Sequence, residues 1–399
     1  MKKEFLDLGR QPVANAFLKK EDFDDEFLFD LKVVFNTESK LVSIKKFVDP
    51  ERIFNENYPY TTSNSFPMVK HFKDTAEMLK KKFNPKKVLE IGSNDGPFIT
   101  NFDKETSVCV EPCGNFSLKT AHMGYQSYTS FWNTELSEKI KSHHGKMDLI
   151  YAANCICHIH DLDDTFKAVK NLLSKDGVFV FEDPSLLRIL ERNSYDQIYD
   201  EHPHIFSITA LDNILIENGL KIFRVENLSV HGGSNRVYVS HLPVHTFLRF
   251  RPVEMSVREN LQREDDFGLN EFKTYQKFAK RVEESRNDLV ELLVKLKNDG
   301  KRIMSIGATA KSTTVFNYCG IGAAPWQTDL IELITDTTKD KQEKYSPGSH
   351  IPVVDRESVN LNDYDYIFLG AWNLKDYIIK NEKKFNGKFI THVPKVEVI

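Results

Sequence analysis

Residues 88–96 read Val-Leu-Glu-Ile-Gly-Ser-Asn-Asp-Gly, a short apolar run leading straight into a turn with a glycine at each end. A buried strand that feeds a glycine turn lets a ligand lie close against the main chain, as in the first half of a nucleotide-binding βαβ unit. No Gly-x-x-x-x-Gly-Lys is present, and carboxylates flank the turn at Glu90 and Asp95. Acids there would repel a pyrophosphate. They suit a cationic ligand or ribose hydroxyls, which favours S-adenosylmethionine over NAD or ATP. The next apolar run, 107–110, leads to Glu111, fifteen residues after Gly96. An acid at the end of the second strand is the position that grips ribose hydroxyls. The candidate cofactor residues are Glu90, Gly92, Asn94, Asp95, Gly96 and Glu111.

The rest of the chain is consistent with an α/β enzyme of more than one domain. Its 399 residues exceed one ordinary core, and 40% hydrophobic with 28% charged residues is the composition of a globular protein. A net charge of −4 gives no overall basic field for nucleic acid. No apolar stretch is long enough for a membrane span, and the start of the chain lacks an apolar signal core, so a cytoplasmic protein is expected. The sequence does not fix the oligomeric state; a monomer is compatible with it. Five cysteines, an odd number, point to reduced thiols. The run Cys155-Ile-Cys157-His158-Ile-His160 raises the question of a metal. Read as a strand, it places both cysteines on one face and both histidines on the other, so the ligands scatter and no metal is expected.

Periodicity divides the chain into three. Residues 1–75 are turn-rich with little helical period. Residues 76–245 alternate strands and helices and end in two strands joined by a Gly-Gly loop, which predicts an open, mostly parallel sheet with an antiparallel last hairpin. Residues 246–399 begin with a long helical region, 255–299. A second alternating unit follows, whose first turn, Gly307-Ala-Thr-Ala-Lys311-Ser312, could take a phosphate on helix-terminal amides and Lys311.

The densest polar constellation lies after the fourth parallel strand: Tyr199, Asp200, Glu201, His202 and His204 fall within six positions. Loops beyond the carboxyl ends of such strands bind substrates. His202 is a candidate base, Glu201 an orienting group or hydroxyl ligand, and Tyr199 a donor to a carbonyl or enolate oxygen. A second polar loop, His231-Gly-Gly-Ser-Asn-Arg236, could face the same site, with Arg236 pairing a pyrophosphate. The Gly-Gly pair also reads as a plain hairpin turn.

Taken in order, these segments resemble the nucleotide-sugar C-methyltransferases that build branched deoxysugars, the sugar 3-C-methyltransferases among them. The resemblance spans almost the full length. It rests on Leu8-Gly-Arg-Gln-Pro-Val-Ala-Asn15, Tyr58-x-Tyr60, Glu90-Ile-Gly-Ser-Asn-Asp-Gly96, Glu111-Pro112 and Asn154 with His158-Ile-x-Asp161. It continues through Tyr195-Asp-x-Ile-Tyr199-x-Glu201-His202, His231-Gly-Gly-Ser-x-Arg236, Gly307-Ala-x-Ala-Lys311, Asn317-Tyr-Cys-Gly320, Pro347-Gly348 with Ile351-Pro-Val353, and Ala371-Trp-Asn373. The resemblance implies three domains: a small N-terminal cap, a central class I methyltransferase fold of Rossmann type, and a Rossmann-like C-terminal unit that helps bind a nucleotide diphosphate. It assigns His202 as base beside Glu201 and Tyr199. Asn154 falls on the cofactor side; Tyr60, His158, His231, Arg236 and Lys311 fall on the substrate side. Family members carry an N-terminal cysteine zinc site. Here no cysteine precedes Cys109, so no zinc is expected. Asp200 replaces a usual histidine, and Ile306, Thr309 and Ser312 depart from the usual C-terminal turn. The implied reaction is methyl transfer to C3 of a nucleotide-linked 4-keto-deoxysugar through an enolate. An O-methyltransferase of the same architecture, or a non-catalytic nucleotide-sugar binder, are the alternatives.

Overall fold

The computed structural model describes residues 1–242 and 251–399; the boundary expected at 245/246 lies outside the described residues. Three sheets organise the described residues. In the first, β1 (Lys2–Pro12), β2 (Leu28–Asn36) and β3 (Val42–Ile44) pair antiparallel. Along β2, Phe29, Leu31, Val33 and Phe35 are buried while Asp30 is exposed, the period-two signature of a sheet with one buried face. The fourth strand of this sheet comes from far along the chain: His204–Ile205 pairs with β3, Ser43 facing His204. The loop carrying His202 is therefore fastened to the N-terminal domain. The expected boundary at 75/76 falls inside one helix, Phe66–Phe83.

The central sheet contains β4 (Val88–Ile91), β5 (Ser107–Val110), β6 (Gln126–Tyr128), β7 (Met147–Ala153) and β8 (Leu173–Pro184), all parallel. The two-residue strand His204–Ile205 is β9. The central sheet then ends in an antiparallel hairpin, β10 (Leu220–Leu228) and β11 (Ser234–His241), giving the order β10-β11-β8-β7-β4-β5-β6. The continuous apolar runs of β4, β7 and β8 follow from burial on both faces beneath flanking helices. This is the mostly parallel sheet with a final hairpin that the alternation predicts.

The expected helical region 255–299 is two helices, Met255–Phe267 and Phe272–Asn298, broken where Gly268 takes φ +83°. Tyr275, Phe278, Val282, Leu289, Leu293 and Leu296 form the buried stripe of the longer one. That stripe packs into a single core shared by the N-terminal sheet and the C-terminal domain. Each such residue contributes roughly 1.5–3 kcal/mol by burial, so the stripe is a main fastening between the two ends of the chain. The third sheet runs β14-β15-β13-β12-β16-β17-β18, built from β12 (Ile303–Ile306), β13 (Ile334–Asp336), β14 (Lys344–Tyr345), β15 (Pro352–Asp355), β16 (Tyr366–Leu369), β17 (Lys388–Thr391) and β18 (Glu397–Val398). No helix among the described residues is long and apolar enough to cross a membrane.

Candidate active site

At the tip of β4 the chain turns at Gly92 with φ +69°, and a Cβ there would come within 2.6 Å of Cys155 Sγ; only glycine fits. The Gly92 N–H donates to the Val110 carbonyl at 2.8 Å. Glu111, at the tip of β5, accepts the Asn94 N–H at 2.7 Å on one oxygen and the Cys113 N–H at 2.9 Å on the other. Each oxygen keeps a lone pair for a hydroxyl, which fits a ribose. Glu90 is used differently: it accepts the Ile99 N–H at 3.0 Å, and burial lifts its pKa well above the ordinary carboxylate range. It braces the loop beyond the turn instead of offering a charge to a sulfonium. Gly96 and Asn154 both take left-handed backbone, and the Asn154 N–H is held by the Glu182 carbonyl at 2.6 Å.

The N-terminal domain closes directly on this turn. Asn94 donates to the Tyr60 carbonyl and accepts the Thr62 N–H, each at 3.0 Å. Asp95 accepts both the backbone N–H and the hydroxyl of Ser63. Tyr60 stands at the mouth, 37% exposed. Tyr58, two residues earlier, reaches inside: its hydroxyl donates to Glu201 at 2.8 Å, and Asn15 donates to the other oxygen at 2.5 Å. The Ala14 N–H donates to Asp200 at 2.9 Å. Burial raises the pKa of both neighbouring carboxyls, and the charge of Glu201 adds to the rise at Asp200.

His202 lies at the centre of this loop. Its Nδ1 sits 2.7 Å from the Gln197 carbonyl, so Nδ1 carries the proton and Nε2 the lone pair. Burial pushes its pKa down to about 3, against the pull of that carbonyl and with a smaller push from the charge of Lys311. The imidazole is neutral at physiological pH. The Tyr199 ring lies 4.2 Å from it and the His158 ring stacks at 5.2 Å, with Phe54 stacked behind His158. His158 Nε2 and His231 Nε2 are buried without partners. Burial keeps both of these histidines neutral as well, His231 at about 3. Such orphaned groups suit a polar ligand that would satisfy them.

The C-terminal sheet repeats the geometry of the first turn bond for bond. The Gly307 N–H donates to the Thr335 carbonyl at 2.9 Å. Asp336, at the tip of β13, accepts the Ala308 N–H and the Thr338 N–H, both at 2.8 Å. Gly307 takes φ +99° and packs on Ala371 as Gly92 packs on Cys155. Lys311 lies in the first turn of the helix Ala310–Cys319, and its ammonium has no hydrogen-bond partner among the described residues. Lys341 donates to the Ala308 carbonyl at 2.7 Å. Burial lowers the pKa of both lysines, while the charge of Glu201 reaches each and opposes the fall.

Three expectations are corrected. Arg236 is not free for a pyrophosphate: its donors go to Glu182 at 2.8 Å, Glu226 at 3.0 Å and Thr75 at 2.6 Å. Glu201 does not orient His202; the Gln197 carbonyl does. Residues 155–160 are not a strand, because β7 ends at Ala153 and Ile156–His158 form a 3-10 turn. Sequence reasoning missed Tyr58, Asn15, Lys341 and Asp336 as site residues. Asp336 carried the same signal as Glu111, an acid ending the second strand of a βαβ unit.

Comparisons with known proteins identify the family. Residues 69–225 match a family described as a methyltransferase domain, and residues 229–394 one described as a C-methyltransferase C-terminal domain. Residues 1–54 match a putative zinc binding domain. That segment contains neither cysteine nor histidine, and its interior is the apolar face of β1–β3, so the residues present do not fit a zinc ion. C-methyltransferase NovU of Streptomyces niveus is 31% identical over 99% of this chain and 94% of its own length. Partial likenesses to solved structures include a SAM-dependent methyltransferase of Thermotoga maritima, a possible histamine N-methyltransferase (15% identity, TM-score 0.35, 45% of this chain and 94% of that one). Another is the CurJ carbon methyltransferase (14% identity, TM-score 0.34, 49% and 61%). With its methyltransferase sheet, its glycine turn and its full-length match to NovU, the chain belongs to the S-adenosylmethionine-dependent C-methyltransferase family.

Proposed function

We propose that the protein methylates C3 of a nucleotide-linked 4-keto-deoxysugar, with His202 as the base. The observation that carries this reading is the state of His202: neutral, its Nδ1 proton tied to Gln197, with the Tyr199 and His158 rings 4.2 and 5.2 Å from its own. A hydrogen α to a ketone is acidic enough for such a group to take. His202 Nε2 removes the C3 proton, the C–H electrons form an enolate, and Tyr199 donates to the developing oxyanion. S-adenosylmethionine, when bound, would supply an electrophilic methyl for the enolate carbon, its sulfur keeping the electrons of the broken S–C bond. The turn at Gly92–Gly96 and Glu111 hold the cofactor, with Asn154 beside them.

Tyr60, His158 and His231 line the sugar side. Lys311, Lys341 and Asp336 suit a nucleotide diphosphate, the lysines for phosphate oxygens and the acid for a sugar hydroxyl. Proton transfer by a placed base contributes ~10²–10⁴-fold, whereas aligning two bound reactants is worth up to about 7–11 kcal/mol. Closing the N-terminal domain over the cofactor turn serves the larger of these terms. The absence of cysteine and histidine from residues 1–54 supports a zinc-free N-terminal domain.

The test is incubation with dTDP-, GDP- and CDP-linked 4-keto-6-deoxysugars and methyl donor in deuterated buffer, read by NMR. We expect a new C3 methyl and solvent deuterium exchange at C3. His202→Asn should lose at least ~10² in rate and the exchange while S-adenosylmethionine binding persists. An O-linked methyl, or normal turnover by that variant, overturns the assignment.

A further inference from the structure

The turn at 156–158 gathers a ligand set that the strand reading scatters. Cys157, His158 and His202 each offer one donor atom, and the three atoms lie within 4.8 Å of one another, with Cys157 and His202 buried and His158 partly so. No other such group of three His, Cys, Asp or Glu occurs among the described residues. We propose that these three side chains form a binding site for a thiophilic divalent cation of the zinc type, and that its occupancy switches methyl transfer off by consuming the base.

Two features beyond proximity support this. His202 donates Nδ1–H to a backbone carbonyl at 2.7 Å, the outer bond that metal-ligating histidines make to fix the tautomer and aim the other nitrogen. His158 Nε2 is buried with no partner at all, so ligation through it would break no existing hydrogen bond. One thiolate and two imidazoles also form the soft, mixed set that zinc prefers over calcium or magnesium. Tetrahedral zinc with bonds of about 2.0–2.3 Å sets its donors roughly 3.3–3.8 Å apart, so the three atoms need to draw together by about an ångström.

Three protein ligands leave a fourth position for water. As the sulfur–metal bond forms, the Cys157 proton departs to solvent. No oxidant or further reactant is needed. The site is separate from residues 1–54, which have no thiol or imidazole to offer. Only the inhibitory consequence rests on the proposed role of His202; the binding itself does not.

The chelator-treated full-length protein is titrated with Co²⁺ and read by absorption. One equivalent should give a thiolate-to-metal charge-transfer band and tetrahedral d–d bands. Cys157→Ser should remove the charge-transfer band, and Cys155→Ser should leave it. In the methyl-transfer assay, Zn²⁺ should inhibit the wild type reversibly by chelator, and Cys157→Ser should be at least tenfold less sensitive while turning over normally without metal. Absence of the charge-transfer band in the wild type overturns the site, whatever the variants do. So does retention of the band in a Cys157→Ser protein that still binds S-adenosylmethionine. If the spectra appear but zinc leaves turnover untouched, the switch is overturned and the fault lies with the role given to His202.

Discussion

Arg236→Met separates a structural guanidinium from a substrate-binding one. Arg236 is 7% exposed, and its three bonds go to Glu182, Glu226 and Thr75. Glu182 is 2% exposed and also receives the His71 ring at 2.6 Å and the Tyr151 hydroxyl at 2.9 Å. Although burial acts to raise the pKa of Glu182, His71 and Arg236 together hold it below its ordinary value, so the carboxylate is charged. Removing one partner of a buried pair costs about 3–5 kcal/mol because the other charge is stranded. Here His71 and Tyr151 remain, which sets the expected loss near 3 kcal/mol by the same reasoning. For a unit of this size that is a fall in Tm of roughly 6–12 °C. Calorimetry and urea unfolding measure it, and the midpoint should fall with the slope unchanged. Adding Glu182→Leu should recover part of the loss, since a buried pair exchanged for apolar groups is often neutral. KM for the nucleotide sugar, measured below the new Tm, should stay within twofold. A tenfold rise in KM with Tm unmoved would refute the structural assignment and return Arg236 to the diphosphate.

Three further outcomes are expected. Measured in an Asp183→Asn background, where the carboxyl that burial lifts to about 7 is removed, the pH–rate profile should lack a limb near 6.5. With its pKa lowered to about 3, His202 stays deprotonated as pH falls to 5, about 99% against about 3% for an unperturbed imidazole; a tenfold loss of turnover between pH 6.5 and 5 in protein shown to be folded contradicts this. Gly232→Ala should weaken docking of the central and C-terminal domains, because Gly232 takes φ +88° and a Cβ would come within 2.5 Å of Trp372 Cη2. Strain of about 1–3 kcal/mol should appear as a lower Tm, and an unchanged Tm would show that Trp372 yields freely. Chelator should leave hydrogen-exchange protection of β1 and β2 unchanged, since the apolar face of that sheet supplies its cohesion; collapse of protection would reveal a metal there.

Local signals made much of this fold legible. The Val88–Gly96 run and Glu111 marked the first βαβ unit because the geometry of a strand, glycine turn and terminal acid is nearly self-contained in sequence. The cluster at 199–204 was visible for the same reason. What escaped was whatever depended on distant partners. Arg236 reads as a phosphate ligand because nothing local discloses Glu182, fifty-four positions away, as its partner. Glu201 looked like the group that orients His202, yet the N-terminal Asn15 and Tyr58 hold it, more than 140 residues back. Strand periodicity does not carry past Ala153 into Cys155–His160: the left-handed Asn154 ends the strand, and no composition signal marks that turn.

The N-terminal domain shows how one structural role can be filled by different physics. A metal clip stabilises a small domain that cannot bury enough apolar surface alone. Residues 1–54 have no ligands for one, and the structure shows two substitutes. The first is a core continuous with the helix Phe272–Asn298 and with β12–β17, so the small sheet borrows burial from its neighbours. The second is polar fastening at its far side, where Glu26 accepts the Gly348 N–H and the His350 ring while Phe23 stacks on that ring at 3.7 Å. Both tie the domain to the C-terminal unit. Its grip on the central domain is mixed: β3 pairs with β9 and residues 186–205 share the apolar core, whereas over the Gly92–Gly96 turn and the Glu201 side chain the contact is by hydrogen bonds, from Asn15, Tyr58, Thr62 and Ser63 to Glu201, Asn94 and Asp95 and from Asn94 back to Tyr60, groups a cofactor or sugar would also seek. Ligand entry must exchange those bonds while the apolar core holds. The segment over the cofactor turn is therefore the part of the cap with least to lose by opening, and the motion that admits substrate should centre on residues 58–65.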